Sequence, residues 1–292
     1  MIVGTWPNLF LVGAAKAGTT SVYDELAKHP AIYMSPMKEP HYFSRIQPSP
    51  ERAAFFPHVT DEDDYKALFH GATDERLVGE ASTSYLWDAE AAARIHRVAP
   101  EASILIMLRN PVERAYSQYW NDVREGIETR SFTDALAEER RSGAGVWGVT
   151  SLYIDCGRYA DQVERYLDRF GERVLVSFFE DFVADRPRAV AGIQEFLGVD
   201  PNDGAAGASR MNPTTLPRNV LSGRILGSGR LRTLVRATVP RGLRARARGA
   251  LLKEVSPSPM DPEARASLIE VFRPEVARVA ELLGRPTPWD LG

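Results

Sequence analysis

Apolar residues in this chain gather in short runs, and between the runs they recur at helical spacing. Leu9, Phe10, Leu11 and Val12 form one run, closed by Gly13. An uninterrupted run of this kind suits a strand covered on both faces of a parallel sheet. After Gly18, Thr19, Thr20 and Ser21 can start a helix with Val22 and Leu26 on its buried stripe. His29-Pro30 stops it, because proline disfavours helical geometry in the residue before it. Ala31 to Met34 and Leu77 to Glu80 read as two more strands, and Ala81 to Tyr85 is the polar exit of the second. Residues 44 to 76, with Pro48, Pro50 and Pro57, read as an irregular excursion followed by a short helix near Asp64 to Phe69.

A helix from Ala89 to Val98 precedes the clearest strand, Ser103 to Leu108 (SILIML), which ends abruptly at Arg109-Asn110-Pro111. Pro111 suits the first turn of a helix, where a missing N–H costs little, and that helix runs to about Glu125. Further helices are expected over Ser131 to Arg141, Tyr159 to Phe170 and Arg186 to Leu197, with a loop over Gly143 to Gly148. Arg173 to Phe179 is a strand closed by Glu180-Asp181, and Asp261 to Leu283 is a capped amphipathic helix, with Trp289 pinning the C-terminus. Strands alternating with helices predict an α/β fold: a P-loop-like, doubly wound parallel sheet flanked by helices. The 292 residues are enough for one domain spanning the whole chain.

Charge changes this picture in one place. Gly204 to Lys253 holds eleven Arg or Lys and no Asp or Glu. It reads as a solvated basic face or as an electropositive lid, irregular or helical over residues 204–260, near an anionic ligand. The net charge of −3 gives no whole-chain sign of a nucleic-acid partner. The single cysteine, Cys156, excludes an intrachain disulfide and a cysteine metal cluster and suits a reducing compartment. Nothing reads as a signal peptide, and no apolar run approaches the roughly 20 residues that span a bilayer. A cytoplasmic protein is expected, with no transmembrane segment.

Two places carry candidate chemistry. The loop from Gly13 to Gly18 enters a helix N-terminus, where unpaired backbone N–H groups and the helix dipole favour an anion. Its spacing is that of a Walker A loop, but Thr19 stands where that motif needs lysine, and the lysine sits inside the loop at Lys16. The second place is Arg109, at the C-terminal end of a strand where open α/β sheets bind ligands. Its planar fork can hold a phosphate bidentately, and Ser117, two turns into the next helix, can reach the same group. The plain alternatives are a turn with a solvated lysine and a strand-end salt bridge beside a surface serine.

Together, Lys16-Ala17-Gly18-Thr19-Thr20 and Arg109-Asn110-Pro111 with Ser117 resemble the two phosphate sites of sulfotransferases that use 3′-phosphoadenosine-5′-phosphosulfate (PAPS). The resemblance covers nearly the whole chain and is nearest to the branch that includes the heparan sulfate sulfotransferases and many bacterial homologues. It implies a sulfotransferase moving a sulfuryl group from PAPS to a hydroxyl or amine of a small-molecule or carbohydrate acceptor. It implies that Lys16 contacts the bridging oxygen and sulfonyl group. The amides of Ala17, Gly18, Thr19 and Thr20, with the threonine hydroxyls, would hold the 5′-phosphate, and Arg109 and Ser117 the 3′-phosphate. It also implies a base at Glu39, in Glu39-Pro40-His41-Tyr42-Phe43, with His41 as the rival base and a loop salt bridge to Lys38 as the plain alternative. No metal is required.

Two departures from the family pattern stand out. Glu80-Ala81-Ser82-Thr83 replaces a Glu-Lys-Thr-Pro pattern, so a lysine is missing. The family's late Lys-Gly-Arg loop is not recognisable, though Lys253 or the arginines before it could substitute. Ser44 to Asp74 and Val146 to Tyr153 are expected to line the acceptor site, since loops on such a scaffold carry specificity. A P-loop kinase and a non-catalytic polyanion-binding module, working through Arg210 to Lys253, are the competing functions.

Overall fold

The protein is described by a computed structural model over residues 6–45, 58–142, 151–201 and 258–291, with the backbone of 215–217 and 252–254. Five parallel strands form the sheet: β1 (Leu9–Gly13), β2 (Ile32–Met34), β3 (Leu77–Ala81), β4 (Ser103–Leu108) and β5 (Val174–Phe178), in the order β2-β3-β1-β4-β5. β1 is buried at every position and β4 at all but the first, as their apolar runs require. The helices of the sheet unit are α1 (Thr19–Leu26), α2 (Glu62–Ala67), α3 (Ser84–Trp87), α4 (Ala91–Val98), α5 (Pro111–Arg124), α6 (Phe132–Ser142), α7 (Tyr159–Phe170), α8 (Phe179–Ala184) and α9 (Arg186–Phe196). The final helix, α10 (Pro262–Leu283), packs on α5 and α7.

From β1 the chain winds outward to β2 and back to β3, and from β4 it winds the other way to β5. β1 and β4 are therefore the neighbouring strands at which winding reverses, and their C-terminal ends border the crevice where such sheets bind ligands. The register brings the two exits together: Gly13 lies opposite Ile106, and the Ala14 N–H donates to the Met107 carbonyl at 2.6 Å.

The main core gathers both faces of the sheet. A second cluster joins α5, α6 and α10 through Val112, Phe132, Leu136, Leu268 and Phe272. Asn110 caps α5, accepting from the Val112 and Glu113 N–H groups at 3.0 and 3.3 Å, with Pro111 at the first helical position. Trp289 is buried against Phe178 and Tyr159, and its Nε1 donates to Glu180 at 2.8 Å, so it ties the C-terminal stretch to α8.

Several elements differ from the sequence reading. α2 starts two residues earlier than expected, because Asp61 caps it by accepting from the Asp64 N–H at 3.0 Å. The polar exit of β3 contains a helical turn, α3, whose Tyr85 and Leu86 are buried. Gly18, with φ of 84°, is the N-cap of α1, so Thr19 and Thr20 are its first turn and not its cap. α8 follows β5 with no loop between them. Residues 143–148 lie outside the described residues. So does the basic segment 204–260, apart from residues 258–260 and the strands β6 (Thr215–Pro217) and β7 (Leu252–Glu254), which pair antiparallel.

Ile106 is fully buried in the centre of the sheet. Ile106→Ala is expected to cost about 2–5 kcal/mol of stability in urea denaturation. Val183→Ala, at a half-exposed position, should stay within about 0.5 kcal/mol.

Candidate active site

The loop after β1 wraps around Lys16, whose φ of 67° is left-handed. Gly13 and Gly18 are forced as well: a Cβ at Gly13 would meet Leu86 at 2.6 Å, and Gly18 has a φ of 84°. A Cβ there would meet the Phe179 ring at 2.7 Å, so α8 presses directly on the loop. No side chain caps the first turn of α1; the Ser21 and Val22 N–H groups donate to the Gly18 carbonyl, which leaves those of Thr19 and Thr20 for a ligand. The Ala17 N–H departs from expectation: it donates to the Ala14 carbonyl at 3.2 Å and helps close the loop. Lys16 is mostly buried, and its Nζ donates to Asn121 Oδ1 on α5 at 3.2 Å. Burial, with help from the nearby Arg124 and Arg109 guanidinium groups, brings its pKa down to about 8 against the opposing pull of Asp122 and Glu125.

Arg109 leaves the end of β4 and folds over the loop. Its Nη1 donates to the Lys16 carbonyl at 3.2 Å, and its guanidinium lies 4.7 Å from the Phe179 ring centre. The following Asn110 N–H donates to Glu180 at 2.9 Å, and Tyr159 donates its hydroxyl to the Arg109 carbonyl at 3.0 Å. Ser117 is half-buried on α5. The structure thus joins Lys16 directly to Arg109 and places Ser117 on the helix that follows.

Glu39 and His41 form a separate cluster beside the end of β3. The Glu39 N–H donates to the Ala81 carbonyl at 2.8 Å, and Glu39 and His41 both have left-handed φ angles, 63° and 57°. Glu39 Oε2 accepts from the Thr83 N–H and hydroxyl, each at 2.9 Å, while Lys38 pairs with Oε1 at 2.8 Å. Burial opposes ionisation of Glu39, but the Lys38 ammonium, His41 and these hydrogen bonds outweigh it and hold the carboxyl at about 2. His41 is buried, with Nε2 at 3.6 Å from Glu39 and Nδ1 at 2.7 Å from the Ser84 hydroxyl. Burial pushes its pKa below the usual imidazole value in spite of Glu39. Beneath it lies Glu80, which accepts from the Ser82, Tyr65 and Tyr85 hydroxyls at 2.7, 2.9 and 2.6 Å. Burial drives Glu80 up to about 7 even with those three donors. The Ser82 N–H in turn donates to the Leu11 carbonyl at 3.1 Å, which sets this cluster next to β1.

Residues 7–203 match the profile of the family described as "Sulfotransferase family". The chain belongs to that family. A solved sulfotransferase from Alicyclobacillus acidocaldarius is 34% identical, with a TM-score of 0.74 over 97% of this chain and 98% of that one. Human heparan sulfate glucosamine 3-O-sulfotransferase 6 is 29% identical over 199 residues, covering 66% of this chain and 53% of its own length. The chain thus spans about half the length of the curated relatives it matches. A mouse sulfotransferase complexed with PAP, covering 95% of this chain and 87% of its own, shares the fold at 16% identity and a TM-score of 0.52.

Within this sulfotransferase-family fold the sequence reading missed several polar residues. Thr83 and Ser84, read only as a polar exit, hold Glu39 and His41. Asn121, Asp122 and Arg124 cluster at the end of α5 near Lys16. Asp122 is buried, accepts from Ser151 N–H at 2.8 Å and Gln118 at 2.7 Å, and is raised by burial to about 6. Asn121 and Lys16 are 105 residues apart, so no local pattern announces the pair. Residues 46–57 and 146–150, within the stretches expected to line the acceptor site, lie outside the described residues. A cavity of about 550 Å³ opens between Trp6, Tyr42, His58, Arg94 and Arg97, and none of Lys16, Glu39, His41, Arg109 or Ser117 lines it. Among the described residues no group of three or more His, Cys, Asp or Glu is placed to hold a metal, and no helix is long and apolar enough to cross a membrane.

The depressed Lys16 pKa gives a direct readout in the ligand-free protein. After reductive ¹³C-methylation, the NMR signal of Lys16 should titrate near pH 8, well below the other lysines. A midpoint near 10 would contradict the burial and the neighbouring cations. Because the folded state lowers this pKa from 10.5, Lys16 should add stability only as pH rises from about 8 toward 10.5.

Proposed function

We propose that this chain is a PAPS-dependent sulfotransferase acting on a hydroxyl or amine of a carbohydrate or small-molecule acceptor. The observation that carries the reading is the pairing of a helix N-terminus that no side chain caps, and the Lys16 loop leading into it, with Arg109 on the adjacent strand end. Two anion sites at one switch point suit a donor with phosphate groups at both ends of its nucleoside. The residues fit that donor in charge and in the Thr19 and Thr20 N–H groups at the start of α1, which no side chain caps. When bound, PAPS supplies an activated sulfuryl group on a good leaving phosphate.

In this reading the Gly18, Thr19 and Thr20 amides hold the 5′-phosphate, and Arg109 with Ser117 holds the 3′-phosphate. Lys16, once protonated, offsets charge growing on the leaving oxygen. The acceptor oxygen forms the new bond to sulfur as the bond to the phosphate oxygen breaks, and the electron pair stays with the phosphate. Glu39 takes the acceptor proton. A carboxylate held near 2 is a weak base at rest, but the acceptor O–H becomes more acidic as its oxygen bonds sulfur, so proton transfer falls late. His41 orients Glu39. Burial lowers its pKa, and the Ser84 hydroxyl lies 2.7 Å from its Nδ1. The sugar acceptor class is supported by the glucosamine-modifying relative. We take residues 1–292 as one domain and the location as cytoplasmic. The location rests on the single, buried Cys156 thiol and is tested by cell fractionation of the tagged protein.

Calorimetry with PAP tests the donor assignment. Wild type should bind, Arg109→Ala should weaken binding by about 10- to 100-fold, and Glu39→Gln should bind like wild type yet lose sulfuryl transfer. Tight ATP binding in place of PAP would contradict the assignment. The pH profile of kcat/KM for PAPS should fall above about pH 8 as free Lys16 deprotonates, with no limb between about pH 4 and 7 from Glu39.

A further inference from the structure

Arg124 occupies the last turn of α5, where a cation suits the helix dipole, and Glu125 lies 3.4 Å from its Nε. Neither feature explains where its guanidinium goes. Nη2 turns back and donates to Asn121 Oδ1 at 2.6 Å, the same oxygen that accepts from Lys16 Nζ at 3.2 Å. The two cationic heads therefore stand no farther apart than two hydrogen-bond lengths. After burial, Arg124 is the largest influence on the Lys16 pKa. Arg124 Nε is buried and makes no hydrogen bond, so the ion pair with Glu125 is out of line. Asp122, an anion that also acts on Lys16, is turned to Ser151, Gln118 and Tyr153.

Two cations thus share a neutral amide oxygen, and a charged oxygen is the stronger partner for both. The donor of the proposed reaction carries three anionic groups. The first turn of α1 and Arg109 answer two of them, and the third is the sulfonate that is transferred. We propose that Arg124 binds the sulfonate oxygens of the donor, sharing that group with Lys16, while Asn121 holds both cations in position until it arrives. This inference rests on the PAPS reading above. Arg124 breaks no bond in the reaction. It orients the sulfuryl group so that the sulfur faces the acceptor oxygen and the leaving phosphate oxygen lies behind.

PAPS and PAP differ only by the sulfonate, so the ratio of their affinities isolates this contact without any acceptor. By calorimetry, Arg124→Ala should lower PAPS affinity by about tenfold or more and leave PAP affinity within about twofold, which also shows that the variant is folded. Arg124→Lys should recover part of the loss. A parallel fall in both affinities, or no change in either, would overturn the proposal. A wild-type protein that binds neither ligand would overturn the donor reading itself, and this inference with it.

Discussion

Lys16, Arg109 and Arg124 converge at one end of a buried sheet, and like charges so close together repel. The structure holds them there by rigid means. Gly13 to Gly18 is clamped between β4, through the Ala14 to Met107 hydrogen bond, and the Phe179 ring at the start of α8. Tyr159 holds the Arg109 carbonyl from behind, Glu180 holds the N–H of the next residue, Asn110, and Lys16 is drawn to Asn121 across the crevice. The lowered pKa of Lys16 records the cost of burying a cation among cations. An anionic ligand would relieve that cost, which is how a preorganised site turns folding energy into binding.

The acid cluster follows a different logic. Glu80 is buried under three hydroxyl donors and sits near neutrality, while Glu39, a few residues away in space, is held fully ionised by Lys38 and Thr83. Ser82 links Glu80 to the His41 backbone, donating to Glu80 and accepting from the His41 N–H at 3.1 Å. The two environments push the two carboxyl pKa values apart, which suits a structural role for Glu80 and the proposed role of base for Glu39. The left-handed backbone at Glu39 and His41 is the local strain that aims both side chains at Thr83 and Ser84.

Much of this was legible in the sequence because it is encoded locally. The apolar runs of β1 and β4 announce strands buried on both faces, and Arg109-Asn110-Pro111 announces a strand end, a cap and a helix start in three residues. The order of strands and helices then fixes the switch point. Other features depend on contacts that no spacing predicts. The grip of Thr83 on Glu39 spans 44 residues, and Asn121 meets Lys16 only because α5 runs back over the loop. The α3 turn was hidden because Ser82-Thr83-Ser84 looks like loop sequence until Tyr85 and Leu86 are seen to be buried. The Ala17 N–H bond to the Ala14 carbonyl, which helps close the loop, is likewise a feature that residue spacing does not announce.

In the proposed reaction one crevice recognises two phosphate groups at opposite ends of a nucleoside. The most direct test compares the affinity of wild-type protein for PAP and for adenosine 5′-phosphate, which lacks the 3′-phosphate. PAP should bind at least about tenfold more tightly, the difference a single charge-assisted phosphate contact supplies. Equal affinities would mean that Arg109 reads no phosphate and that the two-site account is wrong.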